Sequence, residues 1–253
     1  MRFLLSLAGL ALSSLAAAAQ PEAEPPKDEA PWVQLTFVDV IPSMVEEFVA
    51  VQRELTARAK DAKIPWRTVS RTEVFGDTYR FVIATPVRTL AAFDKAPAPD
   101  AALVTRAERC ITRRESYAVR SLSELSKPLP ADQKPDLMLV NVANVFPGRE
   151  QDYVNVMKSD FLPHFDEAKV HYATGLLAFG GESGFLHVFY VPNFAELDKG
   201  SPVMRALGPE GAQAVTAKLS GVVSSSSLWI ARVLPELSYR PEPKTEPIQS
   251  DMR

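Results

Sequence analysis

The sequence predicts an α+β protein built from two copies of one β-α-β-β-α-β unit. Three observations predict this: stretches of the chain recur about 105 residues apart, strand and helix patterns follow the same order in both copies, and the composition is that of a globular protein. Of the 253 residues, 46% are hydrophobic and 23% are charged. Each copy therefore has enough apolar material for a core of its own.

The internal repeat is clearest in two stretches that open with Phe-Gly and close with Asp-Lys. They read FGDTYRFVIATPVRTLAAFDK from Phe75 and FGGESGFLHVFYVPNFAELDK from Phe179, an offset of 104. Upstream, Pro42 matches Pro147 at an offset of 105. Near the ends of the two copies the offset grows to 112, which predicts an insertion in the second copy between about residues 199 and 221.

The repeat and the composition together divide the chain into six segments. They are a signal peptide (1–19), a disordered leader (20–31), the first unit (32–125), a linker (126–135), the second unit (136–237) and a disordered tail (238–253). The leader and the tail are rich in proline and charge, and such segments bury too little apolar surface to fold.

The first 19 residues have the layout of a secretory signal peptide. Arg2 precedes an apolar run that ends in the small residues Ala17–Ala19. The alternative is a membrane anchor, but a run of about 17 residues is short for a spanning helix. We therefore predict a periplasmic or secreted protein that leaves the membrane after cleavage. Its net charge of -3 argues against nucleic acid as a partner.

The first strand and the first helix are the clearest elements of each unit. In WVQLTFVDV, Val33, Leu35 and Phe37 alternate with Gln34 and Thr36, the period-2 pattern of a half-buried strand. A helix follows, with apolar residues at spacings of three and four. Two strands, a second helix and a last strand complete the unit. This order is that of the split βαβ, or ferredoxin-like, unit.

Each unit enters its first helix through a proline and places an aromatic residue five or six positions further on. These residues are Pro42-Ser43 with Phe48, and Pro147-Gly148 with Tyr153. In this pattern the chain resembles the dimeric α+β barrel superfamily, which includes antibiotic-biosynthesis monooxygenase-like and NIPSNAP-like proteins. The resemblance covers nearly all of the mature chain. It implies a fold more than a function, because one fold hosts many activities.

The resemblance implies a reason for the repeat. The sheet of one unit has helices on one face only, so its other face must be covered. Members of the superfamily cover it by pairing two chains, sheet to sheet. Two copies in one chain would supply both sheets, so we predict an intrachain pseudo-dimeric α+β barrel, a monomer for which further oligomerisation stays open. The alternatives are two independent domains, or units that each pair with another chain.

The resemblance also implies a small-molecule site inside the barrel, on the sheet face opposite the helices. Gln34, Thr36 and Asn141 are the polar residues expected on that face. His187 is the sharpest difference between the copies, because Ile83 occupies the matching position. His187 could serve as a general base, a ligand anchor or a haem ligand. The alternative is a hydrogen-bonded structural histidine.

His171 is a further candidate because it lies close in sequence to His164 and Glu167. Spacings of three and four residues suit one helix face, but the group matches no known zinc motif. We therefore predict no metal site. We predict no cofactor either, although the resemblance leaves haem open.

Two functions fit these residues. The first is an exported protein that binds a small apolar or aromatic ligand between the two sheets. The second is a monooxygenase-like or haem-dependent oxidoreductase that uses the same space. The sequence has no phosphate-binding loop, nucleophile elbow or Cys-x-x-Cys motif. Whether the protein is an enzyme therefore stays open at this stage.

Overall fold

Eight strands and six α-helices lie in the described part of the chain, which comprises residues 31–95, 100–130 and 133–240 of the computed structural model. The strands are β1 (Trp32–Val40), β2 (Thr68–Thr72), β3 (Arg80–Val87), β4 (Ile111–Ser121), β5 (Leu137–Val145), β6 (Tyr172–Phe179), β7 (Gly184–Val191) and β8 (Val223–Val233). The helices are α1 (Val45–Asp61), α2 (Ala101–Arg109), α3 (Glu150–Val156), α4 (Leu162–Glu167), α5 (Phe194–Asp198) and α6 (Pro202–Leu219). The predicted signal peptide lies outside the described residues.

The eight strands form one closed barrel in the order β1-β3-β2-β8-β5-β7-β6-β4. All of its strand pairs are antiparallel. Strands β1 to β4 form the first half and β5 to β8 the second, and the halves join where β2 pairs with β8 and β4 with β6. The predicted α+β class is confirmed. Closure pairs every strand on both sides and leaves no open sheet edge.

The interior of the barrel is apolar and is filled from both halves. Leu35, Val119 and Leu177 form one buried cluster there, and Met138 and Val140 belong to a second. Fully burying one such side chain stabilises the fold by about 1.5–3 kcal/mol.

The helices lie outside the barrel, so each half has a further core between its strands and its helices. In the first half, the ring of Phe48 on α1 packs 4.9 Å from that of Phe81. In the second half, the ring of Tyr153 on α3 stacks 4.4 Å from that of Phe185. Cys110, at the end of α2, is fully buried in the first of these cores.

Each half ends in a short 3-10 segment that packs on the opposite half. Leu125 is buried in the core of the second half, and Leu237 is buried in the core of the first. The assignment of residues 238–240 to a disordered tail was wrong. Tyr239 forms a β-bridge with Arg67, and its backbone amide and carbonyl both bond to that residue.

The second half has the longer helical cover. Where the first half has a 3-10 segment (Leu90–Lys95) followed by the nine-residue α2, the second has α5 and the 18-residue α6. The predicted insertion falls on α6, which is kinked at Gly208 (φ 68°) next to Pro209. None of the helices in the described ranges is long and apolar enough to cross a membrane.

Candidate functional site

A cavity of about 630 Å³ lies between the outer face of the second-half strands and the helices that cover them. Its lining is mainly apolar and includes Leu139, Met157, Phe161, Phe165, Phe189 and Val215. Pockets for small organic ligands usually measure about 300–1,000 Å³. The cavity is therefore large enough for a molecule of several rings.

A π-helical turn, Met157–Phe161, interrupts the helical segment that forms one wall of the cavity. In the first half the corresponding α1 runs uninterrupted for 17 residues. The turn inserts an extra residue into the helical repeat and re-aims the side chains around it. Met157 and Phe161 both line the cavity. Such turns are frequent at functional sites.

A row of polar side chains crosses the strands beneath the cavity, and two of its members, Asn141 and His187, line the cavity. Thr174 on β6 is the register partner of His187 on β7, and His187 is the partner of Asn141 on β5. Register partners in antiparallel strands point to the same face, with Cβ atoms about 4.5–5.5 Å apart. The three side chains therefore lie side by side.

His187 is the centre of a buried hydrogen-bonded chain. Its Nε2 lies 2.8 Å from Tyr153 Oη, and its Nδ1 lies 3.0 Å from Thr174 Oγ1. The three residues are only 3–4% exposed. A neutral imidazole donates through one nitrogen and accepts through the other, so both nitrogens are occupied. Because hydroxyls can donate or accept, the chain can run in either direction.

Burial keeps this chain uncharged. Desolvation lowers the pKa of His187 from its ordinary value of 6.5 to about 4. Desolvation also raises the pKa of the Tyr153 hydroxyl well above its ordinary value. At pH 7 both groups are neutral, and His187 is a weak base.

Asn141, on the same floor of the cavity, has a side-chain oxygen that accepts no hydrogen bond from the described residues. Its Nδ2 donates to Ser226 Oγ at 2.8 Å and to the Ser227 carbonyl at 3.2 Å. A carbonyl oxygen only accepts, so this contact sets the orientation of the amide. Within the described residues no hydrogen bond is made to Asn141 Oδ1, which is therefore available to a ligand.

In the first half apolar side chains stand at the positions of Tyr153, Thr174 and His187, while Thr36 matches Asn141. Val69 and Ile83 are register partners there, as Thr174 and His187 are in the second half. Phe48 occupies the position of the tyrosine, and it packs with Val69 and Ile83 in one cluster. The hydrogen-bonded chain is thus a property of the second half alone. Comparison of the two copies identified His187 but missed Tyr153 and Thr174. The Phe-to-Tyr difference marks Tyr153 in the sequence, whereas the Val-to-Thr difference becomes visible only in the strand register.

The predicted face of Gln34, Thr36 and Asn141 was wrong. The interior of the barrel is lined by the apolar set that includes Val33 and Leu35, so the alternate positions point outward, toward the helices. The physical reason is closure: a closed barrel turns its apolar sheet face inward, away from the helices.

The remaining candidate residues lie away from the cavity. Gln34 lines a surface pocket of about 170 Å³ on the first half, and Thr36 Oγ1 lies 3.1 Å from Ser116 Oγ. His171 Nδ1 lies 3.0 Å from the Pro128 carbonyl oxygen. The structure brings only His187 and Asn141 together. A ligand-binding role for the other three stays a prediction.

Comparison with known proteins shows which solved structures share the fold of this chain. No protein-family model and no curated protein matches the chain. A putative monooxygenase from Fusobacterium nucleatum superposes with a TM-score of 0.61 at 11% identity, covering 85% of this chain and 99% of its own. That monooxygenase has the fold of the dimeric α+β barrels.

Two other solved structures have the same fold. An anthrone oxidase-like protein matches with a TM-score of 0.56 at 12% identity, over 82% of this chain and 92% of its own. A heme-binding protein from Thermus thermophilus matches with a TM-score of 0.52 at 12% identity, over 84% of this chain and 95% of its own. At such identities the likeness is one of fold and not of activity.

One of these fold neighbours binds haem, but the residues that line the outer cavity of this chain do not fit haem. Both ring nitrogens of His187 are already hydrogen-bonded, so neither is free to bind iron. No lysine or arginine is found in the described lining to pair with the propionates. The described ranges also contain no group of three or more His, Cys, Asp or Glu side chains that could hold a metal ion.

Proposed function

We propose that this protein binds a small apolar or aromatic molecule in the cavity between the second-half strands and helices α3, α4 and α6. One observation carries the proposal: a cavity of about 630 Å³ with a polar base stands where the other half packs Phe48, Val69 and Ile83 in an apolar cluster. A structural histidine needs hydrogen-bond partners. It does not need an adjoining cavity, nor the free acceptor of Asn141.

The space between the two sheets is the less suitable container. It holds a cavity of about 170 Å³, close to the size of an engineered cavity that binds benzene. A molecule with two or more rings needs the outer cavity. We therefore relocate the predicted ligand from the barrel interior to the outer face of the second half.

The polar base selects ligands with a hydroxyl or carbonyl group at one end. Tyr153 Oη can donate to a carbonyl in one direction of the chain, or accept from a hydroxyl in the other. Asn141 Oδ1 can accept a second hydrogen bond. The apolar walls supply most of the affinity, at about 25 cal/mol for each Å² of apolar surface buried.

The architecture of the whole chain is part of the proposal. The two halves repeat one order of elements, and each contributes four neighbouring strands to the barrel. This supports a tandem duplication that forms a pseudo-dimer within one chain. The signal-peptide pattern of residues 1–19 supports export to the periplasm or the medium.

Filling the cavity tests the proposal. Ala212 on α6 lines the cavity, and Ala214 on the same helix is exposed. The Ala212→Trp variant should bind the fluorescent apolar probe N-phenyl-1-naphthylamine at least about tenfold more weakly, because the indole takes the volume that the probe needs. The Ala214→Trp variant should bind it like the original protein. Equal affinity in both variants would place the probe elsewhere and refute the proposed site.

A second candidate function is oxygenation of an aromatic substrate, as the names of two fold neighbours suggest. The observation in its favour is the chain from Tyr153 through His187 to Thr174, which could relay a proton away from a bound phenol or ketone. The low pKa of His187 disfavours it as the base. Consumption of dissolved O₂ upon addition of anthrone, abolished in the Tyr153→Phe variant, would favour this function over simple binding.

A further inference from the structure

A second cavity lies inside the barrel, separate from the outer one. It measures about 170 Å³ and lies between strands of both halves, with Val33, Leu35, Val82, Met138, Val140 and Leu186 among its lining residues. Arg240 is the charged residue of this lining, but it is exposed. Its charge can therefore stay in water, and the interior favours an uncharged occupant.

Trp229 on β8 introduces an unsatisfied hydrogen-bond donor at this cavity. Its indole nitrogen is buried, and no acceptor for it exists in the described residues. The nearest ring contact is Phe37, at 5.8 Å between centroids and 70° between planes, and a ring face is at most a weak acceptor. The matching residue of the first half, Tyr117, is smaller and carries a hydroxyl instead.

A buried donor without a partner costs stability unless something binds to it. A water molecule would need two or more polar partners. The side chains clustered with Trp229 are mainly apolar. Of the hydroxyl residues in the lining, Ser70 pairs with Val233, four residues from Trp229 along β8. A ligand with an apolar body and one acceptor atom satisfies both the walls and the indole. An aromatic of one ring is the size that a cavity of this volume admits.

We propose that the barrel interior is a second binding site, for a small uncharged aromatic molecule that carries one hydrogen-bond acceptor, such as an aryl ketone or aldehyde. The N–H of Trp229 donates to the acceptor, and the apolar walls hold the ring. This inference is independent of the function proposed for the outer cavity. The two sites share no lining residue.

The test compares acetophenone with α-methylstyrene, which has nearly the same shape but a CH₂ group in place of the carbonyl oxygen. Acetophenone should bind about two- to tenfold more tightly, the worth of one hydrogen bond. It should also move one of the three tryptophan indole N–H signals downfield in an NMR titration, since the chain has three tryptophans. That signal should be missing from the spectrum of Trp229→Phe, and this variant should bind both molecules alike.

Three outcomes would overturn the inference. They are equal binding of the two molecules to the original protein with no indole signal displaced, no binding of either molecule, and a preference for acetophenone that persists in Trp229→Phe. The indole signal is read on the original protein, so the test stands even where the variant folds poorly. The Ala212→Trp variant supplies the control for site. Acetophenone binding should survive this filling of the outer cavity, and its loss would assign the molecule to that cavity instead.

Discussion

Replacing His187 with alanine should lower the free energy of unfolding by about 2 to 4 kcal/mol at pH 7. The substitution leaves the hydroxyls of Tyr153 and Thr174 buried without a partner, and each unsatisfied group costs about 1–3 kcal/mol. Removal of the ring also enlarges the adjoining cavity, which adds to the loss. Water that enters from that cavity offsets part of it. Urea unfolding followed by circular dichroism measures the change.

The first half of the molecule supplies the matched control. The triple variant Tyr153→Phe, Thr174→Val, His187→Ile carries the side chains that the first half has at the same positions. Every member of the hydrogen-bonded chain is then replaced by an apolar group of similar shape. The free energy of unfolding of the triple variant should therefore lie within about 1 kcal/mol of that of the original protein. Two results would contradict this account of the hydrogen-bonded chain. One is a His187→Ala variant with the stability of the original protein, and the other is a triple variant as unstable as His187→Ala.

The alternation of polar and apolar residues predicted the strands well but not their orientation. In β1, Leu35 and Thr36 belong to opposite faces, as the pattern indicated. Which face is the inside depends on whether the sheet closes on itself. An open sheet would hide its apolar face under helices, whereas this closed barrel places that face in its own interior. A period of two contains no information on closure.

The repeat located one member of the hydrogen-bonded chain but not the others. His187 stood out because Ile83 is chemically unlike it. Thr174 did not, because the offset between the copies changes from 105 to 104 between β2 and β3, and a constant offset of 104 compares it with Ser70. Only the strand register identifies Val69 as its true counterpart. Tyr153 was read only as the aromatic residue of the superfamily pattern, the counterpart of Phe48.

The outer cavity itself was beyond a sequence-based prediction. The insertion near residues 199–221 was visible as a longer offset, and it corresponds to α6 in the structure. How far a helix stands from the sheet below it depends on the side chains of several elements at once. The kink at Gly208 and the π-helical turn at Met157–Phe161 both shape this gap, and neither has a periodic signature.

Acid should weaken the fold between about pH 6.5 and pH 4 through His187. Its pKa is about 4 in the folded protein and 6.5 when exposed. Between these values the unfolded chain binds a proton at this position and the folded chain does not, so protonation favours unfolding. The contribution of the neutral histidine is complete above pH 6.5 and is lost as the pH falls toward 4. The difference between the two pKa values corresponds to about 3 kcal/mol.

The triple variant isolates this effect from every other acid-sensitive group. It retains every other histidine and all the carboxylates, so their contributions cancel when the two proteins are compared at each pH. The urea midpoints of the triple variant should be close to those of the original protein at pH 7.5. They should exceed those of the original protein at pH 4. Parallel curves would mean that His187 takes up its proton in the folded state. In that case a ligand that depends on the neutral chain should also lose affinity between pH 6.5 and pH 4, because the protonated ring can no longer accept a hydrogen bond. With a folded-state pKa of about 4, its affinity should instead stay constant until the pH approaches 4.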